Sequence, residues 1–207
     1  MIAKEKQAVA IFDFDGTLTS RNTTLLFLHY ADPFRFYWIL PILLSISLLY
    51  IAKIISVDQL NSWLCHFFFK GKSKEHLQEI GHDFALNKLP AYVRNEAMLK
   101  LKEHQEKAHL CILATAAYDL YIKAWGNIHG FTKVLCTEVA CDGQGRLTGK
   151  LHGKSCYGLE KVNKIKQTLP TIDTIIYAYG DSEGDKEMLN FATYPFYRRF
   201  DSNLSGH

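Results

Sequence analysis

Five cysteines are spread through 207 residues, and no two of them stand as a C-x-x-C pair. That spacing excludes a disulfide framework and a zinc ribbon, and it fits a reducing compartment. Cys65 and Cys111 fall in apolar segments, as expected of buried thiols, and Cys136, Cys141 and Cys156 have no metal-ligand spacing. Nine histidines include no H-E-x-x-H arrangement, which excludes that class of zinc hydrolase, and His76 and His82 are expected on a solvated helix face. The net charge is only +3 and no long basic stretch occurs, so nucleic acid is not an expected partner. No cleavable leader is expected either. The only apolar run near the start carries an acidic motif that its removal would destroy, so the expected location is cytoplasmic.

What the chain does contain is a recurring pattern of apolar strands that end in polar turns. Ala8-Val9-Ala10-Ile11-Phe12 runs into Asp13-Phe14-Asp15-Gly16-Thr17. Residues two apart on a strand share a face, so both acids look into one site. Paired carboxylates repel unless a cation lies between them, and Mg²⁺ suits oxygen ligands. A calcium loop starting at Asp13 would need Gly at its sixth position and Glu at its twelfth, and those are Leu18 and Thr24. Thr174–Tyr179 leads likewise into Gly180-Asp181-Ser182-Glu183-Gly184-Asp185, and Leu110–Ala114 ends at Thr115. In a parallel α/β sheet the C-terminal strand ends line one crevice, where ligands bind.

Strands and helices alternate outside positions 20–88, which predicts a parallel sheet flanked by helices. Residues 91–107 read as a helix before the second strand. Leu159, Val162, Ile165 and Leu169 recur at helical spacing, which predicts a helix packing that face on the sheet. Turn chemistry at Asp142-Gly143 and Leu147-Thr148-Gly149 marks residues 133–153 as hairpin-like. Positions 20–88 break the alternation and read as an inserted, mostly helical cap, with 1–19 and 89–207 forming the core. Within the cap, 17 residues from Phe36 to Ala52 carry no charge, and Ser56-Val57-Asp58-Gln59 matches a capping box for the next helix.

D-x-D-G-T at Asp13–Thr17, Thr115, Lys161 within Gly158-Leu159-Glu160-Lys161-Val162, and G-D-S-x-x-D at Gly180–Asp185 together resemble the haloacid dehalogenase superfamily. The branch resembled is the phosphoserine phosphatase-like one with a helical cap after the first motif. The resemblance implies a Rossmann-like core and a Mg²⁺-dependent phosphomonoester hydrolase acting through an aspartyl phosphate. It implies Asp13 as nucleophile and Asp15 as general acid and base. Thr115, Lys161 and the Gly16 turn would hold the phosphate. The metal would be held by Asp13, Asp181 and the backbone carbonyl of Asp15, with Asp185 orienting metal-bound water or Lys161. Taken singly, Thr115 could cap a helix, Lys161 could be a solvated residue like Lys164 and Lys166, and Lys154 competes for the lysine role.

The substrate pattern departs from phosphoserine. Gly16 replaces the serine of D-x-D-S-T, Thr115-Ala116-Ala117-Tyr118 stands where S-G-G-F is typical, and no acid to hold an ammonium lies between Gly16 and Ala31. The 17-residue run is shorter than the ~20 residues that span a bilayer, and Pro41 interrupts it. Arg35, Lys53, Lys70, Lys72 and Lys74 flank the apolar stretches, and Trp38, Tyr50 and Trp63 suit a headgroup region. This cap also resembles the phosphatidylglycerophosphatase C branch. The expected substrate is therefore a lipid phosphate at an anionic membrane face. A soluble small-metabolite phosphatase, a phosphotransferase and an inactive membrane-attached module are the alternatives.

Overall fold

The computed structural model describes residues 7–169 and 173–200; the outer ends of the two core segments lie outside them. Five parallel strands form the sheet in the order β3-β2-β1-β6-β7: β1 (Gln7–Phe12), β2 (Leu110–Tyr118), β3 (Lys133–Thr137), β6 (Thr174–Gly180) and β7 (Tyr194–Tyr197). The first strand is central. The chain builds outward from it on one side through β2 and β3, then returns to its other edge with β6. That reversal opens the crevice at the strand ends where ligands bind in such sheets.

Alternation along β1 sorts the core into two faces. Val9 and Ile11 face one side, where they meet Val162 and Ile165 of α8 (Gly158–Thr168) and Met188 of α9 (Lys186–Phe191). Ala10 and Phe12 face the other, with Leu101 of α6 (Asn95–Glu106) and Trp125 of α7 (Asp119–Ile128). Phe12 stacks on Tyr179, and Tyr179 on Phe196, at 4.6 and 4.7 Å between ring centroids. These contacts tie the three strands that carry or border the acidic turns.

Two expectations about helices need correction. The segment predicted as one helix over 91–107 begins as a short 3₁₀ turn, Leu89–Tyr92, and the α-helix proper starts at Asn95. In α8, Leu159 is 71% exposed, while Gly158, Lys161, Val162 and Ile165 are buried. A three- and four-residue repeat is compatible with neighbouring helix faces. The face was chosen by Lys161, which is buried because its ammonium has partners. Lys164 is not merely solvated, since its ammonium donates to the carbonyl of Cys136 at 2.9 Å.

Between β1 and the 3₁₀ turn that leads into α6 lie five helices: α1 (Thr23–Ala31), α2 (Pro33–Trp38), α3 (Leu40–Ile51), α4 (Val57–Phe69) and α5 (Lys74–Asn87). The uncharged run is split at Ile39, and Pro41 sits in the first turn of α3, where its missing N–H costs nothing. Ser56 and Gln59 form the reciprocal capping box of α4, at 3.2 and 2.8 Å. His76 and His82 lie on the exposed face of α5. Among the described residues no helix is long and apolar enough to cross a membrane. The strands β4 (Val139–Cys141) and β5 (Leu147–Leu151) form an antiparallel pair that packs on α4, and Gly71 N donates to Leu147 O at 2.8 Å.

The insertion is fastened to the sheet layer by polar links. Lys74 of α5 pairs with the buried Asp119 of α7 at 3.2 Å, and Asn61 of α4 donates to Ser155 at 3.0 Å. All five cysteines are free, four buried and Cys141 exposed. Burial pushes the Cys65 thiol up to about 12 and that of Cys111 to about 11, so both are unreactive at neutral pH.

Candidate active site

Register brings the motifs together. Phe12 pairs with Leu113 on one side and Tyr179 on the other, so Asp13, Thr115 and Asp181 all fall within two residues of one line across the sheet. Asp13 N donates to Tyr179 O at 2.9 Å, which continues the ladder up to the first acid. Thr115 is buried near the end of β2, and its hydroxyl accepts from Ala117 N at 3.1 Å. It caps no helix, because α7 begins at Asp119 with Tyr118 at its N-cap.

Lys161 is the centre of the charge arrangement. Its ammonium donates to Asp13 Oδ1 at 2.8 Å and to Asp185 Oδ1 at 2.6 Å, and all three side chains are buried. Burial opposes its charge, yet Asp13 and Asp185 hold its pKa above that of an ordinary lysine. The competing Lys154 is exposed. Asp185 is fully committed: its Oδ2 accepts from Asp181 N, Ser182 N and Ser182 Oγ at 3.2, 3.1 and 2.8 Å. This clasp sets the loop that presents Asp181, whose Oδ1 also accepts from Thr17 Oγ1 at 3.2 Å.

Gly16 explains why that loop can come so close. Its φ is +92°, and a Cβ there would lie 2.3 Å from Asp181 Oδ2. The glycine thus serves the turn and lets the second acid lie against the first motif.

Carboxylate oxygens of Asp13, Asp181 and Asp185 lie within 4.8 Å of one another. An all-oxygen set of this kind fits Mg²⁺. The electrostatics point the same way. Burial pushes Asp13 up to about 8 even with Lys161 beside it, and Asp185 raises it further, so the ionised carboxylate requires more positive charge than the protein supplies. Asp181 is likewise raised, by burial and then by Asp185.

Asp15 points elsewhere. Its Oδ1 accepts from Thr23 N at 2.8 Å and Thr23 Oγ1 at 2.6 Å, and the same hydroxyl meets Tyr121 OH at 2.8 Å. Burial nevertheless pushes the Asp15 carboxyl up to about 6, against the Thr23 bonds. Its carboxylate is not part of the three-acid cluster, and any metal contact from this residue falls to its main chain. Thr23 escaped the sequence reading, because one threonine in the first turn of a helix has no distinguishing pattern.

A cleft of about 410 Å³ joins Asp13, Asp15, Thr115 and Lys161 to the underside of the helical insertion. Its roof comes from Leu25 of α1, Leu43, Ser47 and Tyr50 of α3, and Leu60 and Leu64 of α4. The charged side chains lining it are Asp13, Asp15 and Lys161 alone.

Residues 10–190 match the haloacid dehalogenase-like hydrolase family. Protein CicA of Caulobacter vibrioides is 28% identical over 190 residues, covering 91% of this chain and 85% of that protein. A Bordetella pertussis protein of unknown function has the same fold, with a TM-score of 0.83 at 20% identity over 93% of this chain and 90% of its own. A phosphoserine phosphatase in a phospho-aspartyl intermediate analogue form aligns with a TM-score of 0.58 at 17% identity, covering 91% of this chain and 84% of that one. Through a match that runs from the first strand to α9, on the fold these proteins share, the chain belongs to the haloacid dehalogenase-like hydrolase family.

Proposed function

We propose that the protein is a Mg²⁺-dependent phosphomonoester hydrolase that works through a phosphorylated Asp13, with a lipid phosphate such as phosphatidylglycerophosphate as its substrate. The observation that carries the catalytic part is the buried Asp13–Lys161–Asp185 chain beside Asp181. Asp13, Asp181 and the main chain at Asp15 would hold the metal, with Asp185 keeping Lys161 and the Asp181 loop in place. Bound there, Mg²⁺ supplies positive charge to the phosphoryl oxygens and to Asp13.

The protein's own groups do the rest. Asp13 attacks phosphorus, and the P–O bond to the alcohol breaks as the new P–O bond forms. Lys161 neutralises the phosphoryl oxygens, and the Thr115 hydroxyl and the Gly16 turn position them. Asp15 lies near neutrality and is held by Thr23, so it can give its proton to the leaving alkoxide. It then takes a proton from the water that frees Asp13.

The roof supports the substrate class. An amino-acid phosphate would bring an ammonium and a carboxylate into a cleft whose lining beyond the phosphate centre carries no charge. A diacylglycerol-type phosphate brings apolar surface there instead. The deciding experiment is phosphate release from a panel of lipid and soluble monoesters, with Mg²⁺ and with EDTA. The reading predicts metal-dependent turnover with kcat/KM highest on lipid phosphates. Preference for a soluble metabolite would leave the phosphatase and remove the lipid assignment, and phosphate appearing on an added alcohol would mark a phosphotransferase.

A further inference from the structure

Helix α3 has two apolar faces. Leu43, Ser47, Tyr50 and Ile51 line the cleft. On the other side Leu44 is 59% exposed and Leu48 66% exposed, and α2 extends this face with Phe34 at 75% and Trp38 at 72%. Ile54, just past α3, is exposed as well. Single exposed apolar residues need no explanation, but so many on two consecutive, packed helices and the turn after them do. Ile51 belongs to both sides: it lines the cleft and is 73% exposed, so the outward face and the rim of the active-site cleft meet there.

Charge selects the occupant. Between Pro33 and Val57 there is no acid; Lys53 is exposed just past α3, while Arg35 donates to Phe67 O at 2.6 Å and shares Asp32 with Lys72 at 4.0 and 2.6 Å, which leaves this edge with a net positive charge. A second copy seated on this face would bring cations toward cations. An anionic lipid surface complements both the apolar side chains and the basic ones. Twelve residues of α3 make a helix about 18 Å long, too short to cross and suited to lying in the plane of the interface.

We infer that the α2–α3 face docks flat on an anionic bilayer and places the Ile51 rim of the cleft at the lipid surface. The inference deepens the lipid-phosphate reading by specifying how such a substrate reaches the site, and its test does not depend on turnover.

Flotation with vesicles of phosphatidylcholine, with and without phosphatidylglycerol, tests it directly. The wild-type protein should float with the phosphatidylglycerol vesicles, weaken as salt rises, and shift Trp38 emission to shorter wavelength. Leu44→Glu with Leu48→Glu removes two exposed side chains that do not line the cleft, so hydrolysis of a soluble aryl phosphate should be unchanged. Vesicle partitioning should fall by more than about a hundredfold. Phe34→Ser with Trp38→Ser, on the neighbouring helix, should weaken flotation in the same direction and guards against a fold defect peculiar to α3. A wild-type protein that ignores both vesicle types at low salt overturns the inference. So does a concentration-dependent dimer that the glutamate pair dissociates, which would assign the face to a second copy. Because flotation and aryl phosphate hydrolysis are read separately, loss of one leaves the other reading standing.

Discussion

Asp13 and Asp15 stand two residues apart, yet their surroundings separate their tasks. Asp13 shares Lys161 with Asp185, whereas Asp15 is held by Thr23 with its carboxyl pushed up to about 6 by burial. Asp15→Asn should therefore slow alkyl phosphates by on the order of 10²–10⁴-fold in the first chemical step, since no proton reaches the departing alkoxide. Aryl esters that leave unaided should lose far less in that step. Rapid-quench measurement of phosphoryl transfer to the enzyme reads the difference, and equal slowing of both esters would contradict the acid role. Gly16 makes a second prediction at this scale. Gly16→Ala forces a left-handed φ on a residue with a Cβ and drives that carbon against Asp181. Displacing Asp181 by an ångström should cost on the order of 10²-fold in kcat/KM, with higher Mg²⁺ needed for half-maximal rate. An alanine variant with wild-type kinetics and Mg²⁺ response would show that the close approach does not matter.

At the scale of elements, the acidic turns were legible because their chemistry is local. D-x-D-G-T and G-D-S-x-x-D each follow an apolar run directly, and the pairing of β1 with β6 then follows from sheet topology. Elements whose placement depends on distant partners were less legible. The orientation of α8 hinges on a lysine that is buried only because two acids from the turns after β1 and β6 meet it, and apolar spacing carries no trace of that. The same holds for Thr23, whose role appears only once α1 folds back over Asp15. The seat of α5 on α7 is a further case: a Cβ on Gly81 would fall 2.1 Å from the Leu120 carbonyl oxygen. Alanine is the better helix former by about 1 kcal/mol, but here backbone stands against backbone and one helix must move. Gly81→Ala should therefore destabilise the protein by about 1–3 kcal/mol, read as a lower Tm or urea midpoint. An unchanged or raised Tm would mean that α5 can shift freely.

At the scale of the whole molecule, the sheet's aromatic stack carries a pH-sensitive group at its flank. His104 is buried, with Nε2 on Tyr179 OH and Nδ1 on His109 Nδ1, both at 2.8 Å. Burial, then His109 and Lys100, pushes His104 down to about 4, and burial and Lys107 lower His109 as well. Above pH ~6.5 both folded and unfolded chains hold these rings neutral, and stability is independent of them. As pH falls toward 4 the unfolded chain takes up protons that the folded one refuses, so stability drops. Urea midpoints measured from pH 7 to pH 4 should decline, and His104→Gln should flatten the decline while retaining a partner for Tyr179. An equally steep decline in that variant would place the acid sensitivity elsewhere.

The covalent role proposed for Asp13 spans all three scales, because it asks the residue, the strand that presents it and the insertion above it to serve one transfer. Acid quench of the enzyme during turnover of a phosphomonoester, followed by peptide mass spectrometry, tests it most directly. The account predicts a phosphoryl group on the peptide containing Asp13, absent in Asp13→Asn along with turnover and still formed from an aryl ester in Asp15→Asn. Turnover in Asp13→Asn at the wild-type rate, or a phosphoryl group on any other residue, would contradict it.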